Sequence, residues 1–82
     1  MPVKHSLPIA EIQIPAKRKK TLDPAKVAAM AEDILENGQT TPISVRASKT
    51  GYVLIEGYHR LEALRALGEK TVVGYEVRAR LH

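Results

Sequence analysis

The five residues from Glu56 to Arg60 (Glu-Gly-Tyr-His-Arg) combine side-chain types that bind phosphate. An apolar, β-prone run ends at Gly57 and a helical pattern follows directly, so His59 and Arg60 fall in the first turn of a helix. The start of a helix exposes four unpaired N–H groups and a partial positive charge, and a cation there costs about 0.3–1 kcal/mol. A bound phosphate would offset that cost, because N–H groups, imidazole and guanidinium would converge on one anion. Gly57 has no side chain and would let a ligand approach the backbone closely.

Interactions within the protein are the alternative for the same residues. Arg60 could form an ion pair with Glu32, Glu36 or Glu56, and His59 could cap the helix or lie half exposed. The local pattern leaves both interpretations open.

Lys26 and Glu56 are further candidates. Lys26 lies near the start of an earlier predicted helix, where a cation is again unfavourable, although an ordinary surface lysine fits the pattern as well. If the two helix N-termini point the same way, Lys26 and Arg60 could share a ligand. Glu56 could act as a general base beside His59, hold Mg²⁺, or form an ion pair with Arg60.

The three histidines are too scattered to indicate a metal site: His5, His59 and His82.

The segments before these residues predict a strand and a helix. Leu7–Pro15 has the alternation of a short strand, and proline at both ends favours the edge of a sheet. Asp23 is a good N-cap, Pro24 is tolerated at the first helical position, and Gly38 can end a helix, which predicts a helix over Pro24–Glu36. The apolar residues of this helix form one stripe that is expected to face the core: Val27, Met30, Ala31, Ile34 and Leu35.

The rest of the chain predicts a small domain with a mixed sheet. The order β-α-β-β-α-β, with two main helices, is typical of an α/β or α+β fold in a single domain over residues 1–82. The predicted elements are a strand over Pro42–Ala47, a turn over Ser48–Gly51, an inner strand over Tyr52–Glu56, a helix over Tyr58–Leu67 and a strand over Thr71–Val77.

Charge and composition favour anionic partners. Thirteen Lys and Arg against nine Asp and Glu give a net charge of +4 over 82 residues. Four cations stand together in the run Lys17-Arg18-Lys19-Lys20, which is expected to be an exposed loop, or an arm that faces phosphate or nucleic acid. Phe, Trp and Cys are absent, which argues against stacked aromatic platforms and excludes disulfides, thiolate zinc sites and thiol nucleophiles. Without a long apolar run or a signal-type N-terminus, a cytoplasmic location is expected.

From about Ile12 to Val77 the chain resembles the ParB/sulfiredoxin-like domain. Four segments carry the resemblance in order and spacing: Ile14-Pro15, Leu22–Val27 (LDPAKV), Thr41–Val45 (TPISV) and Gly57–Ala63 (GYHRLEA). The resemblance implies a nucleotide site whose glycine turn and His-Arg pair hold phosphates, with a lysine contributed by the LDPAKV helix. The residues it assigns to phosphate binding are Gly57, Tyr58, His59, Arg60 and Lys26.

The chain also departs from the relatives that it resembles. Tyr58 stands where sulfiredoxins have the cysteine of Gly-Cys-His-Arg, which excludes sulfinic-acid reduction. Ala29 and Asp33 stand where the sulfiredoxin helix offers two hydroxyls, and Asp33 would repel phosphate unless Mg²⁺ lies between them. Partition proteins also use a downstream nucleotide motif and a helix-turn-helix, for which this chain is expected to be too short. Glu56 resembles the acid of the Asp-Gly-His-His-Arg motif in a related free-serine kinase.

Three functions follow as hypotheses. The first is a module that binds ATP or CTP with Mg²⁺, with hydrolysis or phosphoryl transfer by Glu56 left open. The second is a DNA-associated partition or transcription accessory, or a nuclease, that uses the basic run. The third is an interaction module with a vestigial site that forms a homodimer or binds a DNA-processing protein.

Overall fold

Five strands form one mixed sheet in the computed structural model, which describes residues 4–77. Their order across the sheet is β1-β5-β3-β4-β2. β1 pairs antiparallel with β5 and β3 with β4, while β3–β5 and β2–β4 are parallel. The predicted α/β class with a mixed sheet is confirmed. The strands are β1 (Lys4–Pro8), β2 (Ile12–Gln13), β3 (Ile43–Ser48), β4 (Gly51–Glu56) and β5 (Thr71–Glu76).

The single strand predicted over Leu7–Pro15 is divided in two. β1 and β2 lie at opposite edges of the sheet, joined by a 3₁₀ turn over Ile9–Glu11. Pro8 ends β1 because it has no N–H to continue the ladder, and the N–H of Ile9 bonds to the carbonyl of Lys70 instead. The expected edge position is correct for both strands.

The three helices are α1 (Ala16–Lys19), α2 (Pro24–Asn37) and α3 (Tyr58–Ala66). The carboxylate of Asp23 caps α2 by accepting a 3.0 Å hydrogen bond from the N–H of Ala25. Gly38, with φ 73°, ends it and donates to the carbonyl of Ile34. Both long helices lie within one residue of their predicted bounds.

The core lies between the sheet and α3. Leu61 of α3 and Val45 of β3 are fully buried, and Leu54 of β4 is almost completely buried. None of the residues of α2 is buried, because α2 packs on α3 rather than on the sheet. Of the predicted core-facing stripe on α2, Ile34 packs against the core, but no member of the stripe is buried. Four of its members are only partly buried and Leu35 is 72% exposed.

The basic run forms a short helix rather than a loop. α1 contains Lys17, Arg18 and Lys19, and Lys20 caps its C-terminal end. Three of the four cations are exposed as expected, but Arg18 is partly buried because its guanidinium bonds to the sheet. Over residues 4–77, the helices are too short or too polar for a membrane span.

Candidate phosphate-binding site

Gly57 forms the turn between β4 and α3. It is the N-cap residue of α3 and has a left-handed backbone, φ 104° and ψ 30°. A Cβ at this position would lie 2.6 Å from Cγ2 of Ile43, a residue of the core. Backbone conformation and packing together therefore require glycine here. No side chain caps α3 and its first turn holds no acidic residue, so the N-terminal N–H groups keep their capacity for an anion.

The N-termini of α2 and α3 meet at this turn. The backbone N–H of Asp23 donates a 3.0 Å hydrogen bond to Nε2 of His59. A groove of about 530 Å³ between the helices is lined by Val27 and Ala31 of α2 and by Arg65 and Ala66 of α3, among others. Asp23 is the N-cap of α2, and His59 lies in the first turn of α3. The positive ends of two helix dipoles therefore lie side by side.

His59 is held by the hydrogen bond from Asp23. Because Nε2 accepts, the neutral ring carries its proton on Nδ1, which remains a donor. The ring centroids of His59 and Tyr58 are 5.9 Å apart. The orientation of His59 is thus set by two elements at once.

Arg60 forms no ion pair within residues 4–77. The alternative in which it pairs with Glu32, Glu36 or Glu56 is not seen, and the described part of the chain has a single salt bridge, Arg65 to Glu62 at 3.2 Å. Arg60 is partly buried. Its guanidinium therefore keeps its donors and its charge for another partner.

Lys26 occupies the third position of α2, one turn from the Asp23 cap, and its side chain is exposed. The meeting of the two helix N-termini places Lys26 and Arg60 on adjacent first turns. That the two cations share a ligand stays a prediction.

Glu56 and Tyr58 flank the glycine in different ways. Glu56, the last residue of β4, is exposed and forms no salt bridge in the described part of the chain. Tyr58 is 8% exposed and belongs to the core, so it offers the site its backbone N–H rather than its side chain. Its ring borders a cavity of about 570 Å³ that Lys19 and Arg65 also line.

Arg18 is a functional candidate that the sequence does not distinguish from its neighbours. Its guanidinium donates to the carbonyl of Ile55, two residues before Gly57. Four adjacent cations look equivalent in the sequence, and only the docking of α1 on the sheet separates them. Lys17, Lys19 and Lys20 stay at the surface.

The remaining histidines lie elsewhere. His5 is exposed on β1 at the far edge of the sheet, and His82 is outside the described residues. Within residues 4–77 no group of three or more Asp, Glu or His is placed to hold a metal ion.

Comparison with known proteins places this arrangement in a family. The model of the ParB N-terminal domain matches residues 2–81. No curated protein sequence matches the chain. A sulfiredoxin from Arabidopsis thaliana is 29% identical with a TM-score of 0.84, and the match covers 95% of this chain and 88% of the sulfiredoxin.

The chromosome-partitioning protein ParB from Caulobacter crescentus matches in two complexes. In the complex with CTP-γ-S it is 26% identical with a TM-score of 0.81, and the match covers 95% of this chain and 46% of ParB. In the complex with the centromeric parS site the TM-score is 0.69, again at 26% identity, with 93% of this chain and 38% of ParB covered. The chain thus spans most of a sulfiredoxin but less than half of this ParB.

Proposed function

Because this chain belongs to the family of ParB N-terminal domains, we propose that it binds a nucleoside triphosphate by its phosphates at the Gly57 turn. The observation that carries the proposal is the meeting of two helix N-termini through Asp23 and His59, next to an Arg60 without an ion-pair partner in the described chain. The ParB that is 26% identical was crystallised with a CTP analogue, which supports the same ligand class here.

Each residue has a distinct role in this proposal. The N–H groups at the start of α3, from Tyr58 onward, donate to phosphate oxygens and add the helix dipole. Arg60 supplies a planar fork that matches two phosphate oxygens, and His59 donates from Nδ1. Lys26 adds a mobile positive charge from α2.

Mg²⁺ fits the site as a companion of the nucleotide rather than as an ion held by the protein alone. Mg²⁺ is usually bound by substrate phosphates, water and one or two carboxylates. Glu56 is exposed and next to the turn, whereas the carboxylates of Asp23 and Asp33 already accept hydrogen bonds from Ala25 and Asn37. Glu56 is therefore the carboxylate that would contact the ion, whose charge would screen the phosphates.

Calorimetric titration with ATP and CTP in the presence of Mg²⁺ tests the proposal. We expect at least one nucleotide to bind, and Arg60→Ala to weaken it about tenfold to a hundredfold, as the loss of a charge-assisted hydrogen bond predicts. Arg65→Ala is the matched control, because Arg65 lies on the same helix but is paired with Glu62 away from the turn. No heat with either nucleotide, or equal effects of the two variants, would reject the proposal.

DNA binding is a second candidate, supported by α1. Lys17 and Lys19 of α1 and Lys20, which follows α1, are exposed and form a basic surface. The related ParB was crystallised with parS DNA. DNA affinity would then fall steeply with salt, and replacing the three lysines with alanine would lower the slope of log K against log salt by about 2–3. An unchanged slope would show that this surface does not contact DNA.

A further inference from the structure

Arg18 differs from the other cations of the basic run in burial and in bonding. Lys17, Lys19 and Lys20 are exposed, whereas Arg18 is partly buried. One terminal nitrogen of its guanidinium donates to the carbonyl of Ile55, and no carboxylate within residues 4–77 forms a salt bridge with it. A guanidinium has five N–H donors, so most of its hydrogen-bonding capacity is unused.

The segment that begins with Arg18 is attached at both ends to the site. Its first residue bonds to Ile55, and its last, Asp23, bonds to His59. Between them, the N–H and the hydroxyl of Thr21 both donate to the carbonyl of Arg18, at 2.9 and 2.7 Å. Ile55 precedes the glycine of the turn by two residues, a span of at most about 7 Å. The Arg18 guanidinium is therefore attached to β4 two residues before the turn that begins α3.

The charge of Arg18 is not balanced by the protein groups around it. Partial burial of a charge is costly unless an opposite charge or several hydrogen bonds compensate, and the Ile55 carbonyl supplies one neutral acceptor. Of the nearby carboxylates, Asp23 caps α2 and Glu56 is exposed without a salt bridge in the described chain. An anionic ligand would supply the missing charge.

We propose that Arg18 is a further phosphate ligand, which contacts the phosphate chain of the nucleotide from the β4 side of the turn while Arg60 contacts it from α3. The inference rests on the proposed nucleotide function. The two guanidinium groups come from separate elements, and a triphosphate offers oxygens to both whereas a monophosphate offers them to one. Arg18 should therefore contribute more to the binding of triphosphates than of monophosphates.

Substitutions that separate charge from structure test this inference. Arg18→Gln keeps a donor for the Ile55 carbonyl but removes the charge, and Arg18→Lys keeps the charge without the fork. Lys17→Gln and Lys20→Gln remove one charge each from exposed positions of the same run. Each protein is titrated with ATP, CTP, AMP and CMP, and its thermal unfolding is recorded.

We expect Arg18→Gln to weaken triphosphate binding at least about tenfold and monophosphate binding less than about threefold. The lysine variants should change either by less than about twofold. Arg18→Lys should retain part of the affinity, and it serves as the test if Arg18→Gln does not fold. Unchanged triphosphate affinity in Arg18→Gln, equal losses for tri- and monophosphates, or equal losses in the lysine variants would each overturn the role of Arg18. Failure of the unsubstituted protein to bind ATP or CTP would instead overturn the proposed function, and this inference with it.

Discussion

The backbone N–H of Asp23 bonds to Nε2 of His59 over 3.0 Å, and this contact joins residues 36 positions apart in the chain. It links the N-cap of α2 to the first turn of α3, and so brings two electropositive helix ends to one place. It also determines which nitrogen of the ring can donate to a ligand. A single hydrogen bond thus couples the assembly of the site to the chemistry that His59 can offer.

His59→Ala should therefore weaken nucleotide binding more than it weakens the fold. The lost hydrogen bond is solvent-exposed, so we expect a decrease of only about 0.5–1.5 kcal/mol in the free energy of unfolding. Nucleotide affinity loses both the Nδ1 donor and the alignment of the two helices, and should fall at least about tenfold. Urea denaturation and calorimetric titration give the two values. His5→Ala, at an exposed position on the far edge strand, should change neither, and an unchanged affinity in His59→Ala would contradict the role of His59.

Gly57→Ala tests whether the turn requires glycine for packing as well as for conformation. Gly68→Ala is the matched control, because Gly68 also has positive φ, 81°, but its Cβ would meet nothing within 4 Å. We expect Gly68→Ala to cost about 1–2 kcal/mol from backbone strain. Gly57→Ala should cost more, since the new Cβ would overlap Ile43, which is 1% exposed and cannot move aside without disturbing the core. Denaturant unfolding measures both, and equal costs would mean that strain alone explains the glycine.

Features set by near neighbours in the chain could be predicted from the sequence, and those set by distant partners could not. Asp23 and Gly38 determine the bounds of α2 locally, and Gly57 does the same for the start of α3. The division of the first strand depends on pairing with β5 and β4, whose positions the local pattern does not contain. Amphipathic spacing indicates which face of α2 is apolar, but not that Leu35 remains exposed. Of the predicted site residues, His59 is joined to the start of α2 by its bond to Asp23, whereas Arg18 became distinct from its neighbours only through its contact with Ile55.

Gln39 illustrates a long-range contact with a stabilising role. Its side-chain amide accepts from the N–H of Val73 and donates to the carbonyl of Val73, both at 2.8 Å. Gln39 thus bonds to β5 one residue before Gly74, where the pairing of β5 with β3 begins. We expect Gln39→Ala to lower the free energy of unfolding by about 1–2 kcal/mol, because two backbone groups lose a partner at once. The control is Gln13→Ala, which removes one exposed hydrogen bond to Thr50 and should cost less than about 0.5 kcal/mol. Equal costs in urea denaturation would mean that the contact with β5 contributes no more than a surface bond.

Glu56→Gln separates nucleotide binding from turnover. Glu56 is exposed beside the turn and has no salt bridge in the described chain, so the substitution removes a negative charge without leaving a cation unpaired. If Glu56 activates water or an acceptor hydroxyl instead of contacting Mg²⁺, phosphate release from ATP or CTP should fall about a hundredfold or more, while the affinity stays the same or rises because repulsion of the phosphates is removed. Glu69→Gln, an exposed glutamate beyond the end of α3, should leave both unchanged. Unimpaired phosphate release in Glu56→Gln would exclude Glu56 as the general base. A parallel loss of affinity and turnover would instead assign it to holding Mg²⁺, which a titration of both proteins with nucleotide at varied Mg²⁺ would verify.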